Sequence, residues 1–393
     1  MPDILPRLIM PKLQDALARG RSILLLGARQ TGKSTLCKQF NPDLSISLLH
    51  PALRQRYEQN AALLIDEVKA LAADLKRKPL VFIDEIQKIP SLLDAVQYLI
   101  DEQIAQFIIT GSSARKLRKP KVNWLPGRVI LYHLDPLMLS ELKTLTPTLE
   151  NLLQFGQLPR IVLTDEEKYR IEELKAYVQT YVEDEIRAEA AVRNVSDFVR
   201  FLPLAASQSG KLINFNSLSQ ELGIAHSTIS NYFQILEDCL ITHRIEPLSR
   251  STKRSRLTRT PKYLFFDLGV RRFCAHETGK EIPLEYQGQL FEEFVGLELL
   301  KYLHLQNEGQ LHFWRDNNGP EVDWIVNFQE KLIPVEVKWT DKPSLKDARH
   351  LQLFLSEYPE SSTGYIVCRT PVKMKLAENI IALPWQNLDT VFN

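Results

Sequence analysis

Short runs of apolar residues within the first 110 positions form the clearest pattern in this chain. Ser22–Leu26, Leu80–Ile83 and Phe107–Ile109 have the length of buried strands, and longer stretches with helical periodicity separate them. This alternation is typical of parallel βαβ units. Each run ends in small or charged residues, at the edge where open α/β sheets bind their ligands. The pattern therefore predicts an α/β module with a ligand site.

Beyond residue 139 the pattern changes from strands to helices. Residues 166–206 have apolar positions at helical spacing among many charges, and a compact helix, turn and helix follow residue 210. A basic segment comes next, and from residue 288 a helix precedes two strands and a closing α/β stretch. We therefore expect four modules, with the boundaries 1–139, 140–206, 207–275 and 285–393.

The first apolar run leads into a sequence that fits the P-loop pattern G-x-x-x-x-G-K-[ST], between a strand and a helix. Its glycines let backbone amides approach a β-phosphate, the helix N-terminus adds positive charge, Lys33 supplies a further charge, and the Ser34 hydroxyl ligates Mg²⁺. We expect ATP and Mg²⁺ as cofactors, bound by Gly27, Ala28, Arg29, Gln30, Thr31, Gly32, Lys33, Ser34 and Thr35.

The second apolar run ends in two carboxylates, which is the Walker B form. Asp84 would hold Mg²⁺ through water, and Glu85 would orient or deprotonate the water that attacks the γ-phosphate. A glutamate at this position separates a hydrolase from a nucleotide-binding switch. The alternative is a buried strand that ends in two solvated carboxylates.

The third apolar run ends in hydroxyl side chains, where a polar sensor would touch the γ-phosphate or the attacking water. Ser112 is the first candidate and Thr110 the second, although such residues are also ordinary in loops. The following segment, 115–128, holds six Lys and Arg and no acid. Its last residue, Arg128, is a candidate arginine finger that acts across a subunit interface. The alternative is a solvated basic loop.

These motifs resemble those of the AAA+ ATPases, and the chain is similar to a prokaryotic group in which such a domain precedes a C-terminal domain of unknown function. The resemblance is carried by Gly27–Ser34, Phe82–Gln87, Ile109–Ser113, Lys262–Gly269, Glu321–Trp324 and Val335–Lys338. It implies an α/β fold: a P-loop AAA+ core, a helical lid, a winged helix-turn-helix and a restriction-endonuclease-like domain, assembled as a ring such as a hexamer. Gly156–Arg160 departs from the family's glycine-aromatic-proline turn, so no lid arginine is assigned as a sensor.

Residues 218–236 have the outline of a helix-turn-helix with Gly223 at the turn. Apolar side chains form its interior, and short polar side chains face outward on the second helix. A basic run, 250–262, follows where a winged helix has its wing. These features predict contact with duplex or branched DNA through His226, Ser227, Thr228, Ser230, Asn231, Lys253, Arg254 and Arg256. The alternative is a winged helix that serves as a rigid protein-contact module.

Two strands separated by a short turn are predicted near the C-terminus. Alternation along the second strand places Glu336 and Lys338 on one face, and pairing of the strands brings Asp323 beside them. Such a set suits a metal-dependent phosphodiesterase, in which Asp323 and Glu336 bind Mg²⁺ and Lys338 positions the water. The set resembles the core of restriction-endonuclease-like folds, which implies Glu292 as a further member from the preceding helix. The alternative is a nuclease fold that has lost its catalytic activity and keeps these residues for packing or DNA docking.

The charge balance, the cysteines and the lack of long apolar runs limit the cellular compartment and the binding partners that we expect. The 49 Lys and Arg balance 48 Asp and Glu, so any nucleic-acid surface must be local. The four cysteines are scattered without a C-x-x-C pair, which fits a reducing compartment. Neither a signal peptide nor a membrane span is indicated, so we expect a cytoplasmic protein without membrane contact.

Together these features predict an ATPase that couples hydrolysis to DNA binding, remodelling or processing. The first alternative is a regulatory nucleotide switch that turns over slowly. The second is an ATPase whose C-terminal domain binds a protein partner in place of DNA.

Overall fold

The chain divides into two compact units. The computed structural model describes residues 5–113, 125–182, 195–248, 257–316 and 319–392. The first unit comprises Met1–Leu137 with Asp238–Leu240, and the second comprises Met138–Glu237 with Ile241–Asn393. The finer division into four modules stays a prediction.

The first unit contains a sheet in which all neighbouring strands are parallel. Its strands are β1 Ser22–Leu26, β2 Leu44–Ser47, β3 Leu80–Asp84, β4 Gln106–Gly111 and β5 Val129–His133. Their order is β2-β3-β4-β1-β5, so β4 lies between β1 and β3. Because the strands are parallel, the residues that follow β1, β3 and β4 meet at one edge of the sheet.

Helices pack on this sheet and complete its core. The described part of the unit contains α1 Met10–Ala18, α2 Lys33–Lys38, α3 Pro51–Gln59, α4 Leu63–Leu75 and α5 Leu92–Asp101. In α5, Leu92, Val96 and Leu99 recur at helical spacing and are fully buried in the same cluster as β3 and β4 side chains. The α/β class predicted for this unit is confirmed.

The α-helices described beyond residue 137 precede the strands of the second unit or lie between them. They are α6 Leu149–Phe155, α7 Pro159–Val162, α8 Glu167–Tyr177, α9 Val195–Ser207, α10 Phe215–Leu222, α11 His226–Asp238, α12 Leu268–Cys274, α13 Leu284–Gln306 and α14 Arg349–Glu357. A π-helical turn, Val178–Val182, follows α8 directly. Within the ranges that the structure describes, no helix is long and apolar enough to cross a membrane.

A mixed sheet forms the centre of the second unit, in the order β12-β13-β11-β10-β9-β8-β6-β7. Its strands are β6 Thr242–Pro247, β7 Lys262–Phe265, β8 Gln310–Arg315, β9 Glu321–Phe328, β10 Lys331–Val337, β11 Gly364–Cys368, β12 Met374–Ala377 and β13 Ile380–Pro384. Strands β9 and β10 form an antiparallel hairpin whose turn residues, Gln329 and Glu330, both have positive φ. Strand β6 pairs in parallel with β8 and antiparallel with β7. Strands β6 and β7 therefore belong to the same sheet as this hairpin.

Candidate functional site

The P-loop joins β1 to α2 and encloses its own lysine. Lys33 opens α2, its side chain is buried, and its ammonium donates hydrogen bonds to the carbonyl oxygens of Gly27 and Ala28, both at 2.8 Å. Burial lowers the pKa of Lys33, and the nearby carboxylates of Glu85 and Asp84 act in the opposite direction. The loop therefore holds an enclosed positive charge, which suits a phosphate group.

Two glycines give the loop its shape. Gly32 has a φ of 97°, a left-handed conformation that side chains disfavour. Gly27 has no room for a side chain, because a Cβ at this position would overlap the carbonyl oxygen of Leu134. The other predicted nucleotide-binding residues lie in the same loop or the first turn of α2: Ala28, Arg29, Gln30, Thr31, Ser34 and Thr35.

The Walker B aspartate faces the P-loop serine at the edge of the sheet. The Ser34 hydroxyl lies within hydrogen-bonding distance of both Asp84 carboxylate oxygens, at 3.0 and 2.9 Å. The buried Thr110 hydroxyl donates to Asp84 Oδ1 at 2.6 Å and accepts from the Glu85 amide at 3.2 Å. Hydroxyl and carboxylate oxygens are the ligands that Mg²⁺ prefers, so Ser34 and Asp84 fit this ion.

Glu85 is held by two side chains from neighbouring segments. Ser112 donates to Glu85 Oε2 at 2.6 Å, and the Gln87 amide donates both to the same carboxylate oxygen and to Ser112 Oγ at 2.9 Å. Glu85 itself has a left-handed backbone, with a φ of 63°. All three side chains are buried. The carboxylate is therefore fixed in position next to the candidate metal ligands.

Gln87 and Arg7 contact the site, although no sequence motif assigned either residue a function. The burial of Gln87 is visible only in the fold, so its position two residues after Glu85 gave no signal of its contact with that carboxylate. Arg7 donates to the carbonyl oxygens of Thr31 and Asp135, both at 2.7 Å. It thereby ties the P-loop to the segment after β5, a contact over 128 positions that no local pattern reveals.

Arg128 lies directly before the first residue of β5. Its guanidinium forms two hydrogen bonds with the carboxylate of Asp101, at 2.6 and 3.0 Å, and its side chain is partly exposed. The Asp101 contact raises the pKa of Arg128 and lowers that of Asp101. An arginine finger acts on a neighbouring subunit, so this pair would have to open for that role.

The predicted helix-turn-helix consists of α10 and α11, with Gly223 between them at a φ of 67°. Ile229, Tyr232 and Phe233 are buried, and the last two form aromatic contacts with α9. The polar candidates on α11 are exposed or partly exposed: His226, Ser227, Thr228, Ser230 and Asn231. The other three candidates lie outside the described residues: Lys253, Arg254 and Arg256.

The second unit brings the predicted nuclease residues together. Asp323 lies on β9, Glu336 on β10, Lys338 directly after β10 and Glu292 on α13. Lys338 Nζ lies 2.6 Å from Glu336 Oε1, and Asp323 Oδ2 accepts from the amide of Val337 at 2.7 Å. Their carboxylates share one largely buried surface.

A second lysine, absent from the prediction, enters this carboxylate cluster (Glu292, Asp323 and Glu336). Lys262 on β7 lies with its Nζ 3.0 Å from Glu292 Oε1. Burial lowers the pKa of Lys262, but the attraction of Glu292 and Asp323 outweighs it and raises the pKa overall. Burial has the opposite effect on the acid Asp323 and raises its pKa well above the usual range. The nearby carboxylates of Glu292 and Glu336 raise this pKa further.

The cluster does not fit a divalent cation in this arrangement. Within the parts of the chain that the structure describes, no three His, Cys, Asp or Glu side chains are placed to hold a metal ion. Glu292 and Glu336 are each paired with a lysine. One oxygen of each glutamate is therefore paired with an ammonium group of the chain itself, whereas Glu336 Oε2 has no hydrogen-bond partner among the described residues and Asp323 accepts from a backbone amide.

Three family models match consecutive parts of the chain. Residues 19–143 match an AAA domain, residues 146–280 a domain of unknown function (DUF8612), and residues 287–388 a domain of unknown function (DUF4143). The AAA match agrees with the parallel sheet and P-loop of the first unit. It supports a nucleotide-dependent, AAA-type ATPase at the level of the family.

Relatives align over nearly the whole chain. An uncharacterized protein of Mycobacterium tuberculosis is 26% identical over 381 residues, which cover 95% of this chain and 82% of that protein. An uncharacterized protein of Methanocaldococcus jannaschii is also 26% identical, over 93% of this chain and 83% of the relative. The similarity therefore extends beyond the AAA part.

Solved structures are more distant. PCH-2 of C. elegans aligns with 60% of this chain and 65% of its own, at 18% identity and a TM-score of 0.26. A type III CRISPR defence DNA nuclease activated by cyclic oligoadenylate aligns with 93% of this chain and 48% of its own, at 13% identity and a TM-score of 0.22. Such scores do not define a shared fold, so neither protein's function is carried over.

Proposed function

We propose that this protein hydrolyses ATP with Mg²⁺ at the edge of the parallel sheet where β1, β3 and β4 end. The P-loop holds the phosphates, and Lys33 balances their charge. Ser34 and Asp84 hold Mg²⁺, which when bound neutralises charge on the phosphate oxygens. The contact of the Ser34 hydroxyl with both Asp84 oxygens, beside the enclosed Lys33, is the observation that carries the proposal.

Glu85 is the proposed general base. Its carboxylate orients the attacking water and accepts the proton as the water oxygen attacks the γ-phosphorus, while the bond from that phosphorus to the β,γ-bridging oxygen breaks and ADP leaves. Ser112 and Gln87 fix the carboxylate, which keeps one oxygen engaged and leaves the other to face the water. Ser112 therefore acts through Glu85 as well as being the candidate sensor of the γ-phosphate.

We propose that ATP turnover is coupled to DNA in a cytoplasmic homo-oligomer, such as a hexameric ring. The exposed polar face of α11 would contact duplex or branched DNA, with the basic segment that follows β6. Arg128 would leave Asp101 and reach the nucleotide of a neighbour. The carboxylate cluster would support docking without cleavage, because its glutamates are already paired with lysines.

That pairing also favours a second candidate, a nucleotide-dependent switch whose C-terminal unit binds DNA or a protein partner without cleavage. The two candidates differ in turnover. A motor is stimulated by DNA, whereas a switch turns over slowly, and Glu85→Gln then traps a long-lived bound state.

The test measures ATP turnover with and without linear and branched DNA, beside a nuclease assay in Mg²⁺ and Mn²⁺. Lys33→Ala should abolish hydrolysis, and the matched control Glu336→Ala should retain it. Turnover that DNA stimulates, with binding that weakens as salt rises, supports the coupling. Absence of salt-dependent DNA binding favours a protein partner, and a normal rate in Lys33→Ala contradicts the assignment of the site.

A further inference from the structure

We propose that the ammonium group of Lys262 is the resident cation of the carboxylate cluster and takes the place of a divalent metal ion there. The cluster would then bind no Mg²⁺ or Mn²⁺ in the wild-type protein. This inference concerns the second unit alone and does not depend on the ATPase assignment.

The path of the Lys262 side chain is the first observation. The lysine starts on β7, at the end of the sheet, and its Nζ reaches Glu292 on α13 at 3.0 Å. On the way it lies over the rings of Phe313 and Trp324, with Nζ 5.1 and 4.9 Å from their centroids. Trp324 Nε1 in turn donates to the carbonyl oxygen of Glu292 at 3.1 Å. The ammonium is thus held by a carboxylate and two aromatic faces.

The backbone of Lys262 leaves this side chain little freedom. Lys262 pairs with Ile245 of β6 and forms a further bridge with Leu212, so its Cα is fixed from both sides. The residue is only 8% exposed. An ion that bound beside Glu292 would have to displace a buried ammonium group from its carboxylate partner.

The balance of charge is the second observation. Three carboxylates, Glu292, Asp323 and Glu336, face two ammonium groups, Lys262 and Lys338. The carboxylates therefore exceed the ammonium groups by only one, which leaves less negative charge than a divalent ion needs for balance. Adding a divalent ion here would bring it beside two positive side chains.

The two lysines differ in a way that supplies a control. The Lys338 side chain is 36% exposed and can swing into solvent, whereas that of Lys262 is 10% exposed. Lys338 can therefore break its ion pair with Glu336 and move into solvent when a metal ion binds. Lys262 cannot, so it is the residue that determines whether the cluster accepts a metal.

The test is Mn²⁺ binding by the nucleotide-free, full-length protein, followed by electron paramagnetic resonance and calorimetry. We expect no cluster site in the wild type, and in Lys262→Met one new site that binds at least roughly tenfold more tightly than any wild-type site. Adding Asp323→Asn to Lys262→Met should remove it, which also separates it from weak binding at the P-loop. Lys338→Met should leave the wild-type result unchanged.

Two results would overturn the proposal. One is a Mn²⁺ site in the wild type that Asp323→Asn abolishes. The other is a folded Lys262→Met protein, with wild-type circular dichroism, that gains no site. If Lys262→Met does not fold, Lys262→Gln is judged by the same criteria, and if neither folds the wild-type titration decides alone.

Discussion

Replacing Thr110 with valine tests whether the end of β4 holds the Walker B carboxylates in place. Valine keeps the shape of threonine but removes the hydroxyl, which donates to Asp84 Oδ1 and accepts from the Glu85 amide. Thr110 is fully buried, so water cannot take over either bond. The Glu85 amide would lose its partner, and Asp84 would retain only the Ser34 hydroxyl among these donors.

The two lost bonds set the expected magnitude. A buried donor left unsatisfied costs roughly 1–3 kcal/mol, and a bond to a charged carboxylate is worth a similar amount. We therefore expect Thr110→Val to lower the free energy of unfolding of the first unit by about 2–4 kcal/mol. For a unit of this size the melting temperature should fall on the order of 5–10 °C. The turnover number should also fall, because the Asp84 carboxylate and the Glu85 backbone each lose a bond that fixes their position.

Thr110→Ser is the matched control. Serine keeps the hydroxyl and loses only a methyl group, which costs about 1 kcal/mol. Thermal melts by circular dichroism and ATP turnover, measured on both variants, separate the hydroxyl from the methyl contribution. Equal stability and equal turnover in the two variants would refute the argument that the hydroxyl organises this site.

Three further substitutions test other contacts. Gly27→Ala places a Cβ against the carbonyl oxygen of Leu134, so labelled-ATP binding should weaken at least roughly tenfold, and unchanged affinity would contradict the described loop. Gln87→Ala removes an amide that fixes the candidate base, so kcat should fall roughly tenfold while KM for ATP stays close to wild type; a rise in KM alone would argue against a positioning role. Gly296→Ala would stabilise an ordinary helix, but here its Cβ would lie 2.5 Å from Trp324 Cζ2, so the melting temperature should fall, and a rise would contradict this packing.

The residues of the candidate ATP site could be predicted from the sequence because their signals are local. The strand, glycines and Lys33 of the P-loop follow one another within a few positions, and Asp84 and Glu85 directly follow an apolar run. The order of the strands was not predictable. Only the fold places β4 between β1 and β3, and this order is what brings Thr110 and Ser112 beside the two carboxylates.

The burial of Lys262 and its ion pair with Glu292 could not be predicted from the sequence. Lys262 ends the basic run that is interpreted as a wing for DNA contact, and no local pattern in that run predicts that this lysine is buried. Its burial arises because β6 extends the sheet through β8 and thereby carries β7 toward α13. Its partner Glu292 is 30 positions away, so the ion pair depends on tertiary structure alone.

Equilibrium binding of labelled ATP in the presence of Mg²⁺ tests most directly whether a nucleoside triphosphate binds in the P-loop. We predict saturable binding by the wild type that falls at least roughly tenfold in Lys33→Ala, while Glu336→Ala binds as the wild type does. Failure of the purified wild-type protein to retain ATP with Mg²⁺, or equal retention by Lys33→Ala, would contradict the account.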